Sequence, residues 1–508
     1  MLNELLPISA FLLSLVTGYI IFPVLITFAI YIGLVDRPGG RKIHAKPIPL
    51  TGGLGIALSL IPACICFIAL QEFRGFFSGA LLLLIVGLVD NYKGLGHWQK
   101  FVAQGLAVWL MVSLDNLSLH TFGNLLGLGE IAVSQPALSV AITFFCVIGV
   151  INAINMIDGL DGLAGGVSFI AFCSFAVMAA LNGHESTMLL CVAIAGAIFG
   201  YLRYNWRPAK IFMGDAGSLI LGFSLAYMTL KLTQLEGSTV APVCALLSLA
   251  VPITDTLVLM TRRAMQGKNP FRADCYHLHH LLLRHVLNKK NTVKVILTLT
   301  VFFNVISVMA TFIDAQQHYL FLGYVIYFLL VFRLSFLQSD LLRLRLKFKR
   351  KRQLNSDSVL LKFLSSLAIK FLSVIPLFRD NPRYNTSMPV KCHASTISGP
   401  CSCEIVNIST TGCQIITSEV QFKCNELELE IPVRLKNKKE DTIVLTLTGK
   451  DAWFNAGEKN TYRHGIQFTG LKEEETVILE EFIDQLAREQ NRYGGLSLRG
   501  RLATKAID

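Results

Sequence analysis

Runs of about 15–25 apolar residues recur between short polar stretches, the length a bilayer core demands of a helix. Eleven such runs lie near residues 7–33, 52–70, 76–90, 101–117, 138–157, 162–182, 187–202, 216–232, 240–260, 294–313 and 317–335. Composition agrees: 53% of residues are hydrophobic, only 16% are charged, and mean hydropathy is +0.54. Soluble chains carry about 25% charged residues. Disorder, collagen, a coiled coil and a small disulfide scaffold are excluded. The first 335 residues therefore read as a polytopic α-helical membrane protein of about eleven transmembrane helices.

Lys and Arg orient the spans. With the first loop inside, eighteen of them fall on cytoplasmic loops and ends, from Arg37 to Arg333, and only Arg74 and Lys231 fall outside. The amino terminus is then outside and the carboxyl terminus is cytoplasmic. The first run is too long for a removable signal peptide and lacks a small-residue cleavage site. The scattered cysteines read as free thiols, since Cys401 and Cys403 have the wrong spacing for a zinc knuckle.

Net charge is +12, unevenly placed. Basic residues outnumber acidic ones by 20 to 14 through Ser335 and by 9 to 2 over residues 336–378, while residues 379–508 hold 17 against 18. The basicity belongs to a membrane part and its linker, so a nucleic-acid partner is not expected.

Reactive side chains gather on the inside loops. The first carries Asp36, His44, Lys46, Thr51 and Gly52-Gly53; the second carries Asp90-Asn91; the third carries Asn152, Asn155, Asp158, Asp161 and Gly165-Gly166. The fourth carries Arg207, Lys210, Gly214, Asp215 and Ser218, and the fifth carries Arg262, Arg263, His277, His279 and His280. Ionisable groups at membrane helix ends are costly unless they serve a cleft or a partner. Carboxylate and amide oxygens suit Mg²⁺, which takes one or two carboxylates plus substrate phosphates and waters; Mn²⁺ is an acceptable substitute. Basic groups and histidines suit the remaining phosphate charge, and glycines permit close approach of a ligand.

Each element also has a plain alternative. An Asp at a helix end can be a cap, glycine pairs can serve helix packing, and the histidines could bind zinc. Their alternate and adjacent spacing does not present one helical face, so phosphate contact is preferred. Five loops on one side carrying such sets favour a divalent metal acting on a diphosphate.

The stretches PGGRKIHAKPIPLTGG, NAINMIDGLDGLAGG, PAKIFMGDAGS and HLHH, in this order, resemble the polyprenyl-phosphate N-acetylhexosamine-1-phosphate transferases of the WecA type, relatives of MraY, over residues 10–330. The resemblance implies eleven transmembrane helices, cytoplasmic active-site loops and Mg²⁺ dependence. It implies transfer of a sugar 1-phosphate from a UDP-N-acetylhexosamine, GlcNAc above all, to undecaprenyl phosphate, releasing UMP and initiating a lipid-linked glycan. By the same resemblance, Asp215 is the Mg²⁺ ligand and Asp90 deprotonates or positions the lipid phosphate. Asn155, Asp158 and Asp161 lie near nucleotide and metal, His279 and His280 contact phosphate, and Lys46 and Thr51 lie on the nucleotide side; beside the resemblance, Asn152, Arg262 and Arg263 are substrate-binding candidates. The chain departs at Asn91, where the family shows a second aspartate; an amide cannot act as a base. Direct attack by the lipid phosphate and a two-step route through an aspartyl intermediate both fit. A catalytically silent membrane receptor is the rival reading; a transporter is disfavoured because the polar residues lie at one surface, away from the midplane. A homodimer is compatible with the sequence.

Residues 336–378 form a basic linker, whose cluster Arg343–Arg352 suits anionic lipid and whose Val359–Leu372 has helical amphipathic spacing. Period-two alternation then predicts strands over Met388–Ala394, Cys403–Ile408, Cys413–Thr417, Ile443–Thr448 and Tyr462–Phe468, with a helix over Lys472–Gln490. This is a small β-barrel domain at residues 379–490, followed by a disordered tail at 491–508. Arg379 and Arg383 in R-x-x-x-R, with Asn407, Ser409 and Gly412 in [DN]-x-S-x-x-G, resemble a PilZ domain. That resemblance implies cyclic di-GMP bound by these five residues as a regulatory ligand.

Overall fold

The structure is a computed structural model that describes residues 2–36, 47–235, 237–265, 277–285, 289–354, 384–394, 401–409, 412–418, 427–433, 443–456, 461–471 and 473–493. It divides into two units: Met1–Arg262 with Asn288–Phe332, and Arg263–Leu287 with Arg333–Asp508.

The first unit is built from α1 (Leu2–Ile32), α2 (Gly52–Phe67), α3 (Arg74–Lys93), α4 (His97–Asp115), α5 (Pro136–Ile157), α6 (Leu163–Leu181), α7 (Glu185–Asn205), α8 (Gly214–Thr233), α9 (Pro242–Ser248), α12 (Lys289–Phe312), and α10 (Ala250–Met265) and α13 (Gln317–Leu354) as far as Arg262 and Phe332. Every apolar run is helical. Among the described residues, eight helices are long and apolar enough to cross a membrane alone, or nine spans if the bent pair α9–α10 counts as one. At 16 residues, α2 is shorter, and α4, which carries His97, Lys100 and Asp115, falls outside the eight. The chain is thus a multi-pass membrane protein. Helices α3 and α7 are longer than the runs that foretold them, because Asn91, Lys93, Arg203 and Asn205 stay helical at their ends.

The ninth run is broken, turning by 81° at Leu249. Pro252 explains the break: it has no N–H to give the carbonyl four residues back, and its ring would clash there. That carbonyl, of Ser248, accepts instead from Asn304 Nδ2 of α12 at 3.1 Å. Small residues let the other helices approach backbone to backbone. A Cβ on Gly87 of α3 would stand 2.3 Å from Ala216 Cα of α8, and one on Gly53 of α2 would stand 2.2 Å from Gly217 N. Helix α8 is consequently buried along almost its whole length.

In the second unit, six antiparallel strands close a barrel in the order β3-β4-β5-β8-β7-β6. These are β3 (Tyr384–Ala394), β4 (Cys401–Ser409), β5 (Gly412–Ser418), β6 (Leu427–Val433), β7 (Ile443–Ala456) and β8 (Thr461–Phe468). Inward residues such as Ile405, Ile415, Leu429 and Leu447 form its core, on which α14 (Glu473–Tyr493) packs Leu479, Phe482, Ile483 and Leu486. Five strands were expected and six are present. Strand β6 has the alternating burial that Leu427, Leu429, Ile431 and Val433 dictate. Strand β7 runs past Thr448 through a bulge between Asp451 and Trp453, and α14 extends three residues into the expected tail. Helix α13 likewise continues into the basic linker as far as Leu354. Val359–Leu372 lies outside the described residues.

Candidate active site

The acidic loops meet at one end of the first unit through backbone ties that the sequence does not announce. A two-residue ribbon pairs β1 (Val35–Asp36) with β2 (Ile48–Pro49). Phe212 N donates to Pro49 O at 2.8 Å, Gly52 N to Phe212 O at 3.0 Å and Gly53 N to Met213 O at 3.1 Å. The loop before α2 is thereby stitched to the loop before α8. Asn205 stitches a third: it accepts from Gly162 N at 2.8 Å and donates to Ile211 O at 2.8 Å. Asp161 Oδ2 accepts from Ala209 N at 3.3 Å. The expectation that the glycine pairs serve a ligand is corrected here. Gly52 abuts Phe212 O and the Tyr201 ring, Gly165 abuts Leu202 and Tyr201, and Gly166 abuts Leu297, so protein fills the space beside them.

At the centre stands Lys100. Its ammonium donates to Asp90 Oδ2 at 2.8 Å and to Asp215 Oδ2 at 3.0 Å, while Leu95 N donates to Asp90 Oδ1 at 2.6 Å. Burial works to lower the lysine's pKa, but the two carboxylates outweigh it and leave the pKa raised, so Lys100 stays charged. The pair is graded: the Asp90 side chain is 4% exposed and that of Asp215 is 34% exposed, so Asp215 is the one open to a ligand. Asn91 Oδ1 accepts from Asp215 N at 2.9 Å and Asn91 Nδ2 donates to Leu50 O at 3.2 Å.

The Asp158 residue keeps some exposed surface, yet its carboxyl sits among protein atoms. Burial pushes its pKa up to about 7, with the negative charges of Asp215 and Asp161 adding to the rise. Asp161 and Asp215 are thus near enough for Asp158 to feel their charge. This donor set fits a divalent cation: two carboxylates already share one ammonium, and a third is short of positive charge. Among the described residues, no three acidic, His or Cys side chains form a ready-made metal cage.

The other predicted residues differ in what they touch. Asn152 donates to Gln104 Oε1 of α4 at 2.9 Å and to Ile148 O at 2.8 Å, so its amide is committed to helix packing. Thr51 is buried, with a hydroxyl that has no hydrogen-bond partner. Asn155 is half-buried, and its carbonyl accepts from Asp158 N at 3.4 Å. Arg262 and Arg263 are buried at the end of α10. Lys46 lies outside the described residues. In the second unit, the argument that the histidine spacing scatters the rings is corrected. His277, His279 and His280 have ring centroids 4.2–6.3 Å apart. His277 precedes α11 (Leu278–His285), so helical spacing does not govern it.

Lys100 was missed as a site residue. It opens the fourth apolar run ten residues after Asp90, a separation that a helical hairpin closes; that was the available signal.

In the barrel, Asn407 Nδ2 donates to Gln414 Oε1 at 2.7 Å, and Asn407 Oδ1 is buried without a hydrogen-bond partner. Ser409 Oγ donates to Gly412 O at 2.9 Å, closing the β4–β5 hairpin. A Cβ on Gly412 would stand 2.2 Å from Ile466 O of β8, so close strand packing is what requires glycine there. Arg379 and Arg383 lie outside the described residues.

This is a multi-pass membrane protein with an acid-rich site at one end of its helices and a separate β-barrel domain. Residues 73–233 match the glycosyl transferase family 4 model, and residues 378–485 match the PilZ domain model. The chain is 34% identical, over 309 residues, to the probable undecaprenyl-phosphate N-acetylglucosaminyl 1-phosphate transferase of Bacillus subtilis, covering 59% of this chain and 84% of that protein. It is 31% identical over 317 residues to the undecaprenyl-phosphate alpha-N-acetylglucosaminyl 1-phosphate transferase of Haemophilus influenzae, covering 60% and 87%. It is 32% identical over 264 residues to the Yersinia pestis protein of that name, covering 50% and 71%. The chain belongs to this WecA-type transferase family, with a PilZ domain added.

Proposed function

We propose that the chain transfers N-acetylglucosamine 1-phosphate from UDP-N-acetylglucosamine to undecaprenyl phosphate, releasing UMP, at the cytoplasmic face of the inner membrane. The observation that carries this is the convergence of Asp90 and Asp215 on Lys100. Sugar identity follows the names of the relatives. An oxygen of the lipid phosphate attacks the sugar-bearing phosphorus of the donor, the bond from that phosphorus to the UMP oxygen breaks, and one phosphoanhydride replaces another. Both reactants are anions, so charge must be neutralised before they meet. Lys100 supplies a fixed ammonium; His279, His280, Arg262, Arg263 and Lys46 are assigned to phosphate and nucleotide, as are Thr51 and Asn155. Mg²⁺, which Asp215 would hold with Asp158 and Asp161 near, supplies charge neutralisation on the diphosphate and on departing UMP. With Oδ1 on Leu95 N and Oδ2 on Lys100, Asp90 is placed to orient rather than to attack. Direct transfer is therefore preferred to an aspartyl intermediate.

The PilZ domain is proposed to bind cyclic di-GMP through Arg379, Arg383, Asn407, Ser409 and Gly412 and so regulate transfer. The domains are taken as residues 1–335, 336–378 and 379–490. Purified protein with UDP-N-acetylglucosamine and Mg²⁺ should release UMP only when undecaprenyl phosphate is added. Lipid-independent release, or none, would overturn the reading and favour a silent receptor.

A further inference from the structure

Asn91 stands where the family resemblance leads one to expect a carboxylate, and its side chain is occupied at both ends. The oxygen accepts from the backbone N–H of Asp215, in the first turn of α8, and the nitrogen donates to the carbonyl of Leu50, on the loop before α2. Gly214 lies against it with φ +67°, and a Cβ on Gly214 would come within 2.6 Å of Asn91 Nδ2. Only a side chain carrying both a donor and an acceptor can make this pair of bonds; a carboxylate offers acceptors alone. Charge points the same way. Asp90 and Asp215 already share the ammonium of Lys100, so a further anion here would add negative charge beside Asp215.

We propose that Asn91 is a positioning residue, an amide clip that ties α3 to the start of α8 and to the loop before α2, and so fixes where Asp215 presents its carboxylate. It neither exchanges protons nor holds metal itself. The inference rests on the transferase reading for its consequences and on the two hydrogen bonds for its geometry.

The test compares wild type, Asn91→Ala and Asn91→Asp in the full-length membrane protein. Asn91→Ala removes both bonds, and misplacement of a reacting group by about 1 Å can cost roughly 100-fold; turnover should fall by roughly 30- to 100-fold. Asn91→Asp keeps the acceptor for Asp215 N–H and loses the donor to Leu50, so it should fall by roughly 3- to 10-fold. Turnover of Asn91→Asp at or above wild type would overturn the proposal, since the position would then carry acid or metal chemistry. A second readout needs no turnover: Mn²⁺ binding in the presence of UDP-N-acetylglucosamine without lipid, followed by the Mn²⁺ EPR signal. Asn91→Ala should bind Mn²⁺ roughly tenfold more weakly, the scale of a lost supporting contact; equal binding would overturn the clip. Normal Mn²⁺ binding by a wild type that transfers nothing would sink the transferase reading, while the ranking of the variants would still decide the role of Asn91.

Discussion

The helical membrane unit and the β-barrel bury polar groups in opposite ways. The helical unit brings Asp90, Lys100 and Asp215 together at the ends of three helices, with Asp90 almost wholly buried. The barrel keeps its interior apolar over most of its length, with Ile405, Ile415, Leu429 and Leu447 inside and Glu428, Thr446 and Thr448 outside. A buried charge is expensive unless paired, so the first arrangement persists where the pairing serves a ligand. The second is what a strand pattern yields when stability alone is at stake. The contrast favours the membrane unit as the seat of the proposed chemistry.

The largest expected effect tests the first half of that contrast. Asp215→Asn should cut turnover by roughly 100-fold or more, the scale of one lost electrostatic contact at a reacting centre, measured as UMP release at saturating Mg²⁺. A wild-type rate would mean the convergence is structural. Next, Arg383→Ala should weaken cyclic di-GMP binding to the full-length protein by roughly 10- to 150-fold, since a charge-assisted hydrogen bond is worth about 1.5–3 kcal/mol. Calorimetry reads this, and an unchanged affinity would leave the barrel as a docking module.

A smaller effect concerns pH. The Asp158 carboxyl holds its proton up to about 7 because burial and the charges of Asp215 and Asp161 oppose ionisation. Below that pH the proton competes with a cation, and above it the carboxylate is available. The Mg²⁺ concentration giving half-maximal activity should therefore fall by roughly tenfold between pH 6 and pH 8. A flat or opposite trend would remove Asp158 from the metal's surroundings. The smallest pair sharpens the barrel half: Leu445→Ala, a buried position, should destabilise by about 2–5 kcal/mol. Its neighbour Val444→Ala, 58% exposed, should cost under about 0.5 kcal/mol. Thermal unfolding distinguishes them.

What could be read from the residues beforehand differs between the units for physical reasons. A bilayer fixes the length of an apolar run, so the spans from α1 to α13 were legible, as was the strand pattern of Met388–Ala394. Tertiary choices were not. Lys100 reads as an anchor until α3 and α4 fold back on each other and set it on Asp90. Gly53 and Gly214 read as room for a ligand until α2, α3 and α8 fill that room. Pro252 breaks the ninth run, and the freed Ser248 carbonyl finds Asn304. Strand β6 was overlooked among glutamates although its alternation is regular, and β7 outruns its apolar stretch because pairing with β8 carries it through a bulge.

The central claim is that the site on Lys100 moves a phosphorylated sugar, and the lipid product tests it most directly. Mass spectrometry of the lipid formed from undecaprenyl phosphate and UDP-N-acetylglucosamine should show the acceptor heavier by one N-acetylglucosamine 1-phosphate, with one UMP released per lipid. An acceptor heavier by the sugar alone, with UDP released, or an acceptor unchanged by a folded protein that binds both substrates, would contradict it.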